Sequence, residues 1–222
     1  MLSETTEYLI SAYCGIYARI KRVSPDFQGK LMDLQCYMDR YAEPWRYQHT
    51  SEHIVSGLRK LYPLESQFSD PVTVLVAWLY HDIIWAPKCE HNEWCSAEFA
   101  QKELMRLKAY GVDIKAVYQM IIATHDHVIL QDFCGNRSDL AILLDVDLSD
   151  LGAPHEEFMA TGELIRKEFG MYTRKEFTDG RAAFAQSFLN RDKIFMSTHF
   201  EHLEDQAQKN LTWAVAQATY RI

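Results

Sequence analysis

Val72-Thr73-Val74-Leu75-Val76-Ala77-Trp78-Leu79-Tyr80 carries no charged residue and runs directly into His81-Asp82. So apolar a run reads as a helix buried nearly all round, over about residues 70–85. It is far too short to span a bilayer. An imidazole and a carboxylate at the edge of a buried helix are unfavourable unless they are paired or bind a metal. Two other edges carry the same residue types. His53 follows His49 by four positions in Tyr47-Gln48-His49-Thr50-Ser51-Glu52-His53, a spacing that places both rings on one face of a helix. The run Leu140-Ala141-Ile142-Leu143-Leu144 leads into Asp145 and Asp147. Together the three edges predict one convergent site.

Outward from that run, helical periodicity dominates and strand-like alternation is scarce. Helices are expected at about 3–22, 28–41, 50–62, 70–85, 92–109, 113–124, 137–148, 155–169, 174–190 and 199–220. Ser24-Pro25-Asp26, Pro63, Asp70-Pro71, Ala86-Pro87, Gly111, Gly135-Asn136 and Gly152-Ala153-Pro154 punctuate them. No linker, repeat or low-complexity tract interrupts the chain. The expectation is a single all-α domain over 1–222, its motif core at about 41–154 and its C-terminal helices, 155–222, packed upon it. The last of these has an amphipathic pattern, which serves equally for covering the bundle or for pairing in a homo-oligomer.

The chain has 222 residues, 48% of them hydrophobic, as an ordinary globular protein does. Its net charge of -8 argues against a general nucleic-acid or anionic-membrane binder. A small phosphorylated substrate stays open, because a metal can supply local positive charge. Cys14, Cys36, Cys89, Cys95 and Cys134 are odd in number and lack CxxC spacing, which favours a reducing compartment. The N-terminal stretch Met1–Glu7 has no basic region followed by an apolar one, so no secretory signal is read there. A cytoplasmic protein is expected.

Histidines and aspartates make a mixed nitrogen and oxygen donor set, suited to Mn, Fe, Co, Ni or Zn. In an open site, such an ion acidifies a bound water and neutralises charge on phosphoryl oxygens. Asp82, beside His81, is placed to ligate one ion and to bridge a second. His49 is then available to protonate a leaving oxygen.

The order His, His-Asp, Asp on helices of an all-α chain resembles the HD superfamily of metal-dependent phosphohydrolases. The likeness is closer to one uncharacterised bacterial branch of predicted HD phosphohydrolases. The residues that carry it are Tyr41-Ala42-Glu43-Pro44, Tyr47 to Ile54, Ala77-Trp78-Leu79-Tyr80-His81-Asp82 and Asn92-Glu93-Trp94-Cys95-Ser96-Ala97. Thr124-His125, Asp145 to Pro154 and a tail with Arg191, Thr198, Glu204, Asn210 and Leu211 complete them. The resemblance implies an HD-type helical bundle. It also implies metal ligation by His53, His81, Asp82 and a final Asp, for which Asp147 is favoured and Asp145 is the fallback. His49 is similar to the His that precedes the ligand His by four residues in cyclic-nucleotide phosphodiesterases. Two departures stand out: Gln48, where the branch has an aromatic or His residue, and His91, where related proteins often carry Asp.

The expected activity is hydrolysis of a phosphomonoester or phosphodiester in a nucleotide or similar small molecule. His49, Glu93 and Asp82 form the catalytic set. One divalent ion is expected, with His91 or His125 as the candidates for holding a second. A di-iron oxygenase of the HD type would draw on His91, Glu93 and His125. A metal- or nucleotide-binding sensor would keep the site without turnover. Arg46, Lys88, Arg137 and Arg191 are candidates for gripping phosphate, although most such residues are solvated surface groups. Cys89, His91 and Cys95 lack a fourth ligand for structural zinc.

Overall fold

The computed structural model describes residues 3–219, apart from the side chains of residues 31, 32 and 219. Met1, Leu2 and residue 220 of the last expected helix lie outside the described residues. The chain is all-α. Ten α-helices follow in order: α1 Glu4–Val23, α2 Leu31–Tyr41, α3 Ser51–Leu61, α4 Pro71–Tyr80, α5 Asn92–Arg106, α6 Ile114–Ala123, α7 Arg137–Leu148, α8 His155–Glu168, α9 Arg174–Leu189 and α10 Glu204–Thr219. Short 3-10 turns cover Tyr62–Gln67, Ser149–Gly152 and Glu201–Leu203, and no strand occurs among the described residues. No described helix is long and apolar enough to cross a membrane.

The chain divides into two compact units, one ending at Leu144 and the other starting at Asp145. The division falls inside α7 and inside the stretch 41–154 read from sequence as the motif core.

In the first unit, α4 packs against α1, α3, α5 and α6, and every residue from Thr73 to Tyr80 is buried. Its β-branched Val and Thr residues are mediocre helix formers, so this helix stands on burial rather than on intrinsic propensity. Asp70 starts it, accepting hydrogen bonds from the Thr73 backbone N–H and hydroxyl at 3.0 and 2.6 Å. Pro71 follows at the first position, where a missing N–H does no harm. Asp139 in turn accepts from the N–H groups of Ser69 and Asp70.

α4 is shorter than the expected 70–85. It stops at Tyr80 and the chain turns at His81-Asp82. In the second unit α9 and α10 pack together, and α8 and the 3-10 turn at Ser149–Gly152 also meet α10. Asn210 of α10 donates to the carbonyls of Leu151 and Ala153, and its Oδ1 lies 3.0 Å from His155 Nδ1.

Candidate metal centre

The centre is built on the C-terminal end of α4. The last carbonyls of a helix have no partner within it, and a buried end must find donors elsewhere. Here side chains supply them. Tyr41 Oη donates to Leu79 O at 2.9 Å. His81 Nδ1 sits 2.8 Å from Trp78 O. A carbonyl only accepts, so that nitrogen carries a proton and Nε2 is the ring nitrogen left to face the site. The His81 ring also stacks on the Trp78 indole, centroids 4.4 Å apart. Trp78 is itself fixed by Nε1 donating to Ile54 O at 2.9 Å.

Arg46 completes the scaffold. Its Nη1 donates to His49 O and Asp82 O, at 3.0 and 2.7 Å, and Nη2 donates to Ile83 O at 3.1 Å. Nε pairs with Glu43 Oε2 at 3.0 Å, and the guanidinium lies over the Tyr41 ring. At 5% exposure Arg46 is a buried strut. It therefore does not serve as the phosphate-gripping cation expected from sequence: its donors are consumed by the backbone that carries His49 and Asp82.

His53, on the first turn and a half of α3, faces this edge. A Cβ on Gly57, one turn further along α3, would come within 1.9 Å of the Trp78 ring, so only glycine admits the indole. His53 Nε2 lies 3.2 Å from His81 Nε2 and 3.8 Å from Asp82 Oδ2, and His81 Nε2 lies 3.1 Å from that same oxygen. His81 and Asp82 are only 1% and 7% exposed. Ligand bonds of about 2.0–2.2 Å around one ion place neighbouring donor atoms about 2.9–3.5 Å apart. Two of the three separations fall in that interval, and all three donor atoms lie within 4.8 Å of one another. The donor set fits a divalent transition ion.

Electrostatics favour the ionised carboxylate that ligation requires. Burial pushes the Asp82 carboxyl up, but the His81, His49 and His53 imidazoles outweigh it and hold the group well below the usual carboxylate range.

The other expected site residues are placed as follows. His49 is not on the helix with His53: α3 begins at Ser51, behind an extended Thr50. Its ring stacks on Trp85 at 3.6 Å and stands 6.1 Å from the His53 ring. The shared helix face inferred from the four-residue spacing is replaced by a bend whose carbonyl Arg46 holds. Glu93, in the first turn of α5, meets His125 Nδ1 at 3.2 Å. His91 is exposed beside Trp94. Among the described residues no second group of three such ligands converges.

Asp145 and Asp147 lie in the second unit. Asp145 Oδ1 accepts from Met196 N at 2.8 Å and Oδ2 from Ser197 N at 2.6 Å, which makes it an anchor for that loop. Asp147 is half-buried. Arg137 donates to Leu130 O and Arg191 lies over Phe188.

Sequence reasoning gave no task to Asn92 and Ser96, although both stand in a quoted motif. Asn92 bonds the backbone of Ala86 in both directions and also Cys89 O. Ser96 Oγ accepts from Ile84 N and donates to Ile84 O. These two buried residues of α5 pin the loop that leaves Asp82. A polar residue among apolar neighbours at helical spacing was the available signal.

Neither family models, nor characterised proteins, nor solved structures give a match to this chain.

Proposed function

We propose that this chain is a metal-dependent phosphohydrolase of the HD type, acting on a nucleotide or another small phosphorylated molecule. The observation that carries the reading is the convergence of His53, His81 and Asp82, with His81 Nε2 turned toward the other two by its bond to Trp78 O. A hydrogen-bonded outer nitrogen fixes the tautomer and raises ligand basicity, as metal-binding imidazoles require. Asp147 is the fourth ligand that the HD resemblance implies. A single ligand cluster among the described residues supports one ion rather than a di-iron pair.

When bound, the ion supplies Lewis acidity toward a phosphoryl oxygen and makes a bound water more acidic. His53, His81 and Asp82 would hold it. His49 protonates the leaving oxygen; its stacking on Trp85 restricts the ring to a narrow range of orientations. Glu93 accepts a proton during attack, with His125 as its hydrogen-bonding partner.

The test is metal content per chain, by plasma mass spectrometry, on wild type beside Asp82→Ala. It is followed by turnover of aryl phosphomonoesters and phosphodiesters with Mn, Fe, Co, Ni or Zn. About one ion in wild type, lost in the variant, together with metal-dependent phosphate release, is expected. No metal after reconstitution overturns the reading. Two irons with oxygen uptake would replace it by an oxygenase. A nucleotide-induced rise in melting temperature without turnover would replace it by a sensor.

A further inference from the structure

The second unit contains a cavity of about 200 Å³ between α8, α9 and α10. Phe158 and Met159 of α8, Phe177 of α9 and Trp213 of α10 line it with apolar surface. Arg166, Arg174 and Arg181 also line it, against one acid, the exposed Glu163. The local balance is thus positive in a chain whose net charge is -8.

These arginines differ in what they already hold. Arg166 is committed to the fold, donating to Phe169 O and Tyr172 O at 2.8 and 3.0 Å. Arg181 is half-buried, and desolvation pushes its guanidinium pKa down. Rings flank it, Phe158 at 6.0 Å and Phe184 at 5.5 Å. Yet among the described residues its guanidinium has no hydrogen-bond acceptor and no ion-pair partner. Arg174 likewise has no acid, and it occupies the first turn of α9, where the helix dipole disfavours a cation. Arg174 is exposed and Arg181 half-buried, so the donors of Arg181 are the ones partly shielded from water. A planar guanidinium with its N–H edge unused, at the wall of an aromatic cavity, is the arrangement that binds a carboxylate by paired hydrogen bonds.

The cavity floor is open as well. Gly162 lies inside α8, and a Cβ built on it would meet nothing within 4 Å. A cavity of roughly 150 Å³ accepts a benzene ring, so this one suits a single ring carrying one short charged group. We infer that this cavity is a binding site for a small aromatic carboxylate, its ring against Phe158, Phe177 and Trp213 and its anion on Arg181. The site is made wholly of residues in the second unit and uses none of the metal ligands.

Ligand-observed NMR titration of the full chain with benzoate tests this. The expected Kd is on the order of 1 mM, the scale for a ligand of about ten heavy atoms. Benzamide, equal in shape but uncharged, and the variant Arg181→Met should each weaken binding about tenfold or more. Gly162→Phe, which fills the cavity and alters no charged residue, should also abolish binding. Treating wild type with a chelator should leave the benzoate affinity unchanged. Equal affinity for benzamide, or retention of binding in Arg181→Met, would overturn the role of the arginine. Inorganic phosphate binding as tightly as benzoate would overturn the aromatic part. No benzoate binding would overturn the whole.

Discussion

Arg46 in the first unit is buried and Arg181 in the second half-buried, and their surroundings differ in kind. Arg46 donates to the carbonyls of His49, Asp82 and Ile83 and to Glu43. Arg181 has aromatic neighbours and no acceptor among the described residues. The first guanidinium is part of the backbone's hydrogen-bond network at the end of a buried helix. The second is left for something that is not protein. A buried cation therefore says little about function until its donors are counted. When the protein satisfies them the residue builds a site, and when it does not the residue offers one.

Substitution by methionine separates the two most sharply. Arg46→Met leaves three carbonyls without this donor and Glu43 with Arg40 alone. It should destabilise the protein by about 3–5 kcal/mol in urea unfolding and abolish metal uptake. Arg181→Met removes a partly desolvated charge and breaks no hydrogen bond among the described residues. It should change stability by less than about 1 kcal/mol in the same measurement, in the stabilising direction. Similar losses for both variants would erase the distinction.

Next in size is Gly57→Ala. The added methyl would press on the indole that stacks on His81. The expected loss is about 3 kcal/mol, with metal affinity falling in step. Retained metal affinity would show that Trp78 does not position His81.

The two aspartates of α7 extend the comparison to an anchor of the fold and a ligand that the HD resemblance implies. Asp145→Ala strands the Met196 and Ser197 N–H groups and should lower stability by about 2 kcal/mol. Asp147→Ala tests the implied ligand through metal content per chain, which should fall. The reverse pattern would move the fourth ligand to Asp145.

These contrasts also mark how far the sequence could be read. The apolar run at α4, the caps at Asp70 and the Gly and Pro punctuation made the helices legible, because burial and capping are local, periodic signals. The donor types His53, His81 and Asp82 were legible too, since an imidazole or carboxylate at a buried edge calls for a partner. Reach was not legible. Arg46 looked like any cation near a site, and only the fold shows that its side chain meets Asp82 and Ile83, far along the chain. The five residues assigned to the end of α4 beyond Tyr80 form a turn instead. The carbonyls of Asp82, Ile83, Ile84 and Trp85 accept from Arg46, Ser96 and Trp45, a tertiary accounting with no local sequence period. The arginine-lined cavity was invisible for the same reason, as its walls come from three helices.

Acid titration probes the charge balance of the metal centre at a smaller scale. The Asp82 carboxyl sits below its ordinary value of 3.8 in the folded chain. Its ionised form therefore stabilises the fold above that value, and the contribution is lost as pH falls through the folded-state value. Between about pH 5 and pH 2, the metal-free wild type should lose more stability than Asp82→Asn, which has no such proton to take up. Parallel acid unfolding curves would show that the three imidazoles do not hold the carboxylate ionised.

The smallest effect expected is also the one with opposite sign. Gly57 and Gly162 are both helical glycines, and a helix interior disfavours glycine relative to alanine by about 0.8–1 kcal/mol. At Gly57 that penalty is tolerated because the Trp78 ring occupies the space a Cβ needs. At Gly162 no neighbour explains it, since the space beyond is cavity. Gly162→Ala should therefore raise stability by about 0.5–1 kcal/mol, read as a higher urea midpoint at unchanged slope. A single methyl leaves most of the cavity open, so benzoate should still bind. A stabilised variant that no longer binds it would show that the ligand lies directly on the α8 backbone, which would give this glycine its reason.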